Sequence, residues 1–271
     1  MTTTPATATT SVRTASAEEI AAYRTAVRVS LAPATHPDAS PVHTFVLGHT
    51  AADETVRAFA GGQDVSVVHL GQDIRVERPV RPGEPVTVAL DVLGARREPR
   101  GARIAVRTRL TAEDGSALAE LVTSALLVGA EGIEPFGEIP ASTAPSPSGA
   151  VGEPATATHE LSPETIRAYA HASGDLNPIH LDAEAARGAG FDTVIAHGMS
   201  VVALVVEEVA DRYAGGDVSR VRAVSGRFSA PVPPGVPLDI TFQPDTDATV
   251  VRFTCRTPKG PAVKAGWVEL R

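Results

Sequence analysis

Residues 173–182 read SGDLNPIHLD, and residues 196–213 read AHGMSVVALVVEEVADRY. On a continuous helix Asp175 and His180 would point about 140° apart. Pro178 rules that helix out, because it removes an amide donor and drives Asn177 toward extended backbone. The segment is then a loop able to turn an acid and an imidazole toward one point, the pairing that general acid/base chemistry needs. From Met199 onward the second stretch is apolar on most sides and free of glycine and proline, which predicts a largely buried helix. Gly198 stands at its start, where amide hydrogens lack partners and the helix dipole favours negative charge. With no side chain there, a carbonyl oxygen can approach the amide closely.

Tyr169, Ser173, Gly174, Asp175, Asn177, Pro178, His180 and Asp182, followed by His197, Gly198 and Met199, resemble the signature of the MaoC-like (R)-specific enoyl-thioester hydratases. RFSAPVPPG (227–235) is similar to that family's strand entry, so the resemblance covers residues 158–271. It implies an α+β hot-dog fold, an antiparallel sheet wrapped around one long helix. It also implies reversible hydration of trans-2-enoyl thioesters or dehydration of (R)-3-hydroxyacyl thioesters, the acyl group being carried on coenzyme A or a phosphopantetheinyl carrier protein. Val206 stands where family hydratases often carry a serine.

Outward from these motifs, residues 129–157 lose hydrophobic period and fill with Pro, Gly, Ser and Ala, as a linker does. The sequences on either side of it repeat. SAEEIAAYRTA (16–26) aligns with SPETIRAYAHA (162–172), placing Tyr23 opposite Tyr169, and RPVRPGEPVTV (78–88) aligns with APVPPGVPLDI (230–240). A third pairing sets Arg107, Asp114, Gly115 and Ala117 against Arg252, Lys259, Gly260 and Ala262. Order is kept throughout, so the chain reads as one domain in two copies. The expected organisation is a disordered tail at 1–14, a non-catalytic hot-dog domain at 15–130, a linker at 131–157 and a catalytic hot-dog domain at 158–271. Ser16 with Glu19 forms a capping box, and Ser162 before Pro163 an N-cap. Val86, Val88 and Leu90 alternate with polar residues, as do Ile104, Val106, Thr108 and Leu110, around a turn at 112–117.

The copies differ where chemistry is expected. Opposite residues 174–180 the first copy has RVSLAPA (28–34), without acid or imidazole, and its counterpart of the buried helix, TAADETVRAFAGGQ (50–63), reads as shorter and more polar. The first half is therefore expected to be a scaffold or pocket wall. A thinner first-half helix is, in the resembled family, associated with room for a bulky acyl chain.

Composition narrows the function further. A net charge of −8 excludes a general affinity for nucleic acid, which needs a basic face. Cys255 is the only cysteine, so no disulfide forms within the chain, and the longest apolar run falls short of a membrane span. These points favour a cytoplasmic protein built as a fused pseudo-dimer, with further dimerisation left open. Asp175, His180 and Gly198 are the expected catalytic groups: one water between acid and imidazole, and an enolate oxygen on the glycine amide. Asn177, His197 and Met199 are candidates for touching substrate, although Asn177 equally satisfies a turn and His197 equally holds the loop by packing. Asp175, His180, Asp182 and His197 lack a zinc or calcium spacing, so neither metal nor redox cofactor is expected. Two rivals stay open, a thioesterase on the same fold and a non-catalytic acyl-binding or partner subunit.

Overall fold

The computed structural model describes residues 9–147 and 149–271. The first half runs β1 (Thr9–Arg13), α1 (Ala17–Val27), α2 (His43–Ala58), β2 (Ser66–Val76), β3 (Val86–Glu98), β4 (Gly101–Ala112) and β5 (Ala117–Val128). A short β6 (Phe136–Gly137) follows. The second half runs β7 (Ala155–Glu160), α3 (Pro163–Ser173), a single 3-10 turn at Pro178–His180, α4 (Ala183–Gly188), α5 (Gly198–Tyr213), β8 (Val221–Phe228), β9 (Pro237–Pro244), β10 (Val250–Thr257) and β11 (Gly260–Leu270).

The strands form one continuous antiparallel sheet in the order β1-β3-β4-β5-β2-β8-β11-β10-β9-β7, with β6 on the edge of β3. Read from its centre, the order is the same in both directions, so the halves are related by a pseudo-two-fold axis. They join where β2 pairs with β8, Gly71 opposite Arg227 and Arg75 opposite Ala223. Two hot-dog units share one sheet, the double hot-dog architecture.

Local chemistry explains the elements. Ser16 and Glu19 close a reciprocal capping box on α1, and Ser162 accepts the Thr165 amide at the start of α3. The β4–β5 turn uses Gly115 at φ 82°, with Asp114 accepting the Ser116 amide. Val86, Val88, Leu90, Ile104, Val106 and Leu110 all point into the core.

Three sequence expectations need correction. The tail is ordered from Thr9, because β1 supplies the backbone partners that the edge of β3 would otherwise lack. The linker is held along much of its length: β6 pairs with β3, Ser142 meets Ser225 at 2.7 Å, and β7 already begins at Ala155, pairing with β9. Backbone pairing depends little on side-chain type, so a Pro- and Gly-rich composition concealed it. The first-half helix is not the shorter one. It begins at His43 and has 16 residues, as α5 has. Its early turns were hidden by Gly48, which breaks the apolar pattern because a Cβ there would lie 2.8 Å from Thr108 Cγ2.

The halves are clamped by buried charge. Arg24 and Arg28, at the end of α1, both bind Glu207 of α5, at 2.7 and 2.6 Å, and Arg28 also binds Asp211 at 2.8 Å. His159 bridges Ser30 and Glu208. Such charges are tolerable inside only when paired this completely.

Candidate active site

The site lies where the halves meet, around a cavity of about 700 Å³ lined by α2, β2, the 174–180 loop, the start of α5 and Phe228. α3 ends at Gly174, whose φ of 71° suits the left-handed helix terminator. The chain then turns: Asp175 Oδ1 accepts the Asn177 amide at 3.3 Å, and Asn177 Oδ1 accepts the Ile179 amide at 3.4 Å. Asn177 Nδ2 reaches across to the Val67 carbonyl at 3.2 Å, tying the loop to β2 of the other half. Asn177 thus borders the cavity with its side chain committed to holding the loop.

His180 Nδ1 lies 2.8 Å from the Ile195 carbonyl. A carbonyl only accepts, so Nδ1 carries the hydrogen and Nε2 of the neutral ring is left as a base. His197 Nε2 donates in the same way to the Asp175 carbonyl at 2.9 Å. The His197 ring stacks on His180 at 3.7 Å and tilts against Tyr169 at 4.9 Å. It is buried and lies outside the cavity lining, with Nε2 bonded, Nδ1 without a partner and the ring packed on His180 and Tyr169, so it is placed to hold the loop rather than, as expected, to touch substrate. Met199 borders the cavity from the first turn of α5.

Gly198 opens α5, and His197 as N-cap gives that helix no side-chain acceptor. The Ser200 and Val201 amides bond the His197 carbonyl, and the Gly198 amide is left to an acceptor from outside the helix. A Cβ on Gly198 would lie 2.7 Å from the Phe228 ring, so glycine is demanded by Phe228 as well as by any approaching oxygen.

Charge is distributed unevenly. Burial would raise the Asp175 carboxyl, but His49 beside it, with His197 and His180 further off, holds it well below the usual carboxylate range. Burial lowers His180 despite Asp175, and it brings His197 to about 3 and His69 to about 4. The site thus holds an ionised acid next to a neutral imidazole. Donor atoms of Asp175, His180 and His197 lie within 4.8 Å of one another. Two hydrogen bonds of about 2.8 Å reach further than that, so acid and imidazole are close enough to act on one water.

Sequence reasoning missed His49, on α2 of the first half, whose Nε2 lies 3.4 Å from Asp175 Oδ1. No local pattern points to it. Arg57, Arg100 and Lys259 also border the cavity, from α2, the β3–β4 connection and the β10–β11 turn. Arg57 is paired with Asp53 and Lys259 with Asp192.

These features define a double hot-dog protein with a candidate acid/base site at the start of the second long helix. Residues 147–254 match the model of the MaoC like domain. Over 212 residues the chain is 27% identical to the peroxisomal enoyl-CoA hydratase 2 of Arabidopsis thaliana, covering 76% of this chain and 68% of that one. Over 79 residues it is 43% identical to 3-hydroxyacyl-thioester dehydratase X of Mycobacterium tuberculosis, covering 29% of this chain and 26% of that one. The crystal structure of a MaoC-like dehydratase from Phytophthora capsici superposes with a TM-score of 0.80 at 20% identity, covering 98% of this chain and 95% of that one. Among the described residues no helix is long and apolar enough to cross a membrane.

Proposed function

We propose that this protein adds water reversibly across the double bond of trans-2-enoyl thioesters, or in reverse dehydrates (R)-3-hydroxyacyl thioesters. The observation that carries the reading is the closeness of Asp175 to His180, with donor atoms within 4.8 Å, beside the uncapped start of α5 at Gly198. In this scheme the water sits between the Asp175 carboxylate and His180 Nε2. Its oxygen bonds to the β-carbon as the pair takes up its proton, and a proton passes from the pair to the α-carbon on the same face. Between these events negative charge grows on the thioester oxygen, which the Gly198 amide stabilises by about 3 kcal/mol, the usual worth of one oxyanion donor. The acyl chain occupies the cavity between α2 and β2, with Met199 on its wall. Phosphates of the carrier, coenzyme A or a phosphopantetheinyl protein in the cytoplasm, meet the rim at Arg100, Arg57 and Lys259. The chemistry calls for no redox cofactor and no metal. The names of the plant and mycobacterial relatives support the same reading.

The test is incubation with short- and long-chain trans-2-enoyl-CoA and the matching carrier-protein thioesters, following conjugated absorbance and free thiol together. Loss of conjugation with the thioester intact is expected. Thiol release without hydration would replace the reading with a thioesterase, and inertness toward every thioester with an acyl-binding subunit.

A further inference from the structure

The loop that carries Asp175 is well held, but its backbone is held better than its carboxylate. His197 grips the Asp175 carbonyl, and Ser173 Oγ accepts the Asp175 amide at 3.2 Å. Among the described residues, the one side chain from outside the loop that reaches the carboxylate is His49, and it comes from the other half of the chain. Both side chains are largely buried, with 18% and 14% of their surface exposed. The His49 ring is braced by Phe45, one turn earlier on α2, with centroids 5.0 Å apart, and it borders the cavity.

We propose that His49 is a positioning residue of the active site, supplied by the half without acid/base chemistry, which aims the Asp175 carboxylate at the bridging water and keeps it ionised. His49 and the Asn177 amide both take Oδ1, which leaves Oδ2 for water. The charged and titratable groups around His49 are Asp53 and Arg57 on its own helix, His69 on β2, and Asp175, His180 and His197 across the junction. Burial and Arg57 disfavour the imidazolium, but Asp175 and Asp53 outweigh them, so His49 keeps its proton to higher pH than an ordinary histidine. The two imidazoles then divide the labour: His49 supports the anion from one side, and His180 remains free to take a proton. The effect on rate rests on the hydratase reading, whereas the contact itself does not.

The experiment compares the full-length wild type with His49→Gln, which keeps a donor without charge, and His49→Phe, which keeps a ring without a donor. kcat and KM on a trans-2-enoyl-CoA are followed between about pH 5 and 9, and His49 is titrated by NMR in wild type and in Asp175→Asn. His49→Phe is expected to lower kcat about 10- to 100-fold with KM nearly unchanged, and to move the acid limb of the profile to higher pH. His49→Gln is expected to recover most of kcat while leaving the acid limb displaced. His49 is expected to titrate at lower pH once Asp175 is replaced. A folded His49→Phe with wild-type kcat and acid limb would overturn the proposal, as would an unchanged His49 titration in Asp175→Asn. If wild type hydrated no enoyl thioester, the functional reading would fall, and the NMR titration would still decide the contact.

Discussion

The two halves of this chain have matching strand orders and long helices of equal length, yet the residues at the start of those helices differ. His43 and His197 each lie seventeen residues before an Ala-Gly-Gly, at 60–62 and 214–216. Each rests against the matching tyrosine, Tyr23 at 5.3 Å and Tyr169 at 4.9 Å, and the two tyrosines pack on one another at 5.6 Å. Next in line stand Thr44 and Gly198. At the start of α2 the His43 amide is taken by Ser40 Oγ at 3.3 Å and Thr44 carries a side chain, while Gly198 carries none and no side chain caps α5. Opposite the acid/base loop the first half offers only 28–34, and the nearby His36 and Asp38 are exposed. The aromatic–imidazole brace therefore survives in both copies, and the reactive groups in one. Relieved of chemistry, the first copy contributes a cavity wall, a clamp on Glu207 and the His49 contact.

The sharpest way to break this contrast is to remove the reactive pair. Asp175→Asn and His180→Ala are each expected to lower turnover about 10²- to 10⁴-fold, with the fold intact by circular dichroism. On the proposed sharing of one water, the double variant should be little worse than either single one. His43→Phe, in the silent copy, should leave kcat nearly unchanged; a large loss there would show that the first half is not silent.

Gly198→Ala sharpens the comparison at the helix start. Phe228 stands in the path of the new methyl, so both kcat and Tm are expected to fall. Adding Phe228→Leu should restore Tm while kcat stays about 100-fold down, the scale of one lost oxyanion donor. Recovery of both would reduce the glycine to a packing residue.

The clamp between halves is tested by Arg24→Met, which leaves Glu207 buried with Arg28 alone. A loss of about 3 kcal/mol in urea unfolding is expected, the low end for a broken buried pair. A loss below about 1 kcal/mol would show that the halves adhere by sheet and apolar contact alone.

The smallest effect is on acid stability. Burial lowers His43 and His69 to about 4 and His197 to about 3. Unfolded, all three take protons near pH 6.5, so stability present above about 6.5 is lost as pH falls toward those folded values. Asp175, depressed in the fold, adds a loss at still lower pH. His49 is raised, so its contribution is full below about 6.5 and fades as pH rises through its folded value. Urea midpoints are expected to drop between about pH 7 and 5, and less so in His43→Phe; equal slopes in both proteins would remove the silent copy from the account.

Much of this could be read along the chain, because the signals are local. Pro178 fixes a loop, Ser16 and Ser162 cap helices, and alternating valines choose a face of the sheet; each acts within a few residues of itself. The internal repeat carries that local grammar across both halves, which is why the tandem architecture was legible without coordinates. What the sequence by itself determined was thus the two hot-dog units, the loop that carries Asp175 and His180, and the long helix that begins at Gly198. Only the tertiary structure decided that Asn177 and His197 hold the loop, that Gly198 answers to Phe228, and that β1 and β6 cover an edge. It alone joined Arg24 to Glu207, 183 residues away, and His49 to Asp175. A histidine or arginine on a helix looks the same in sequence whether it faces water or a buried carboxylate. The β2–β8 junction brings the halves together, and their contact surface turns those side chains into parts of one site.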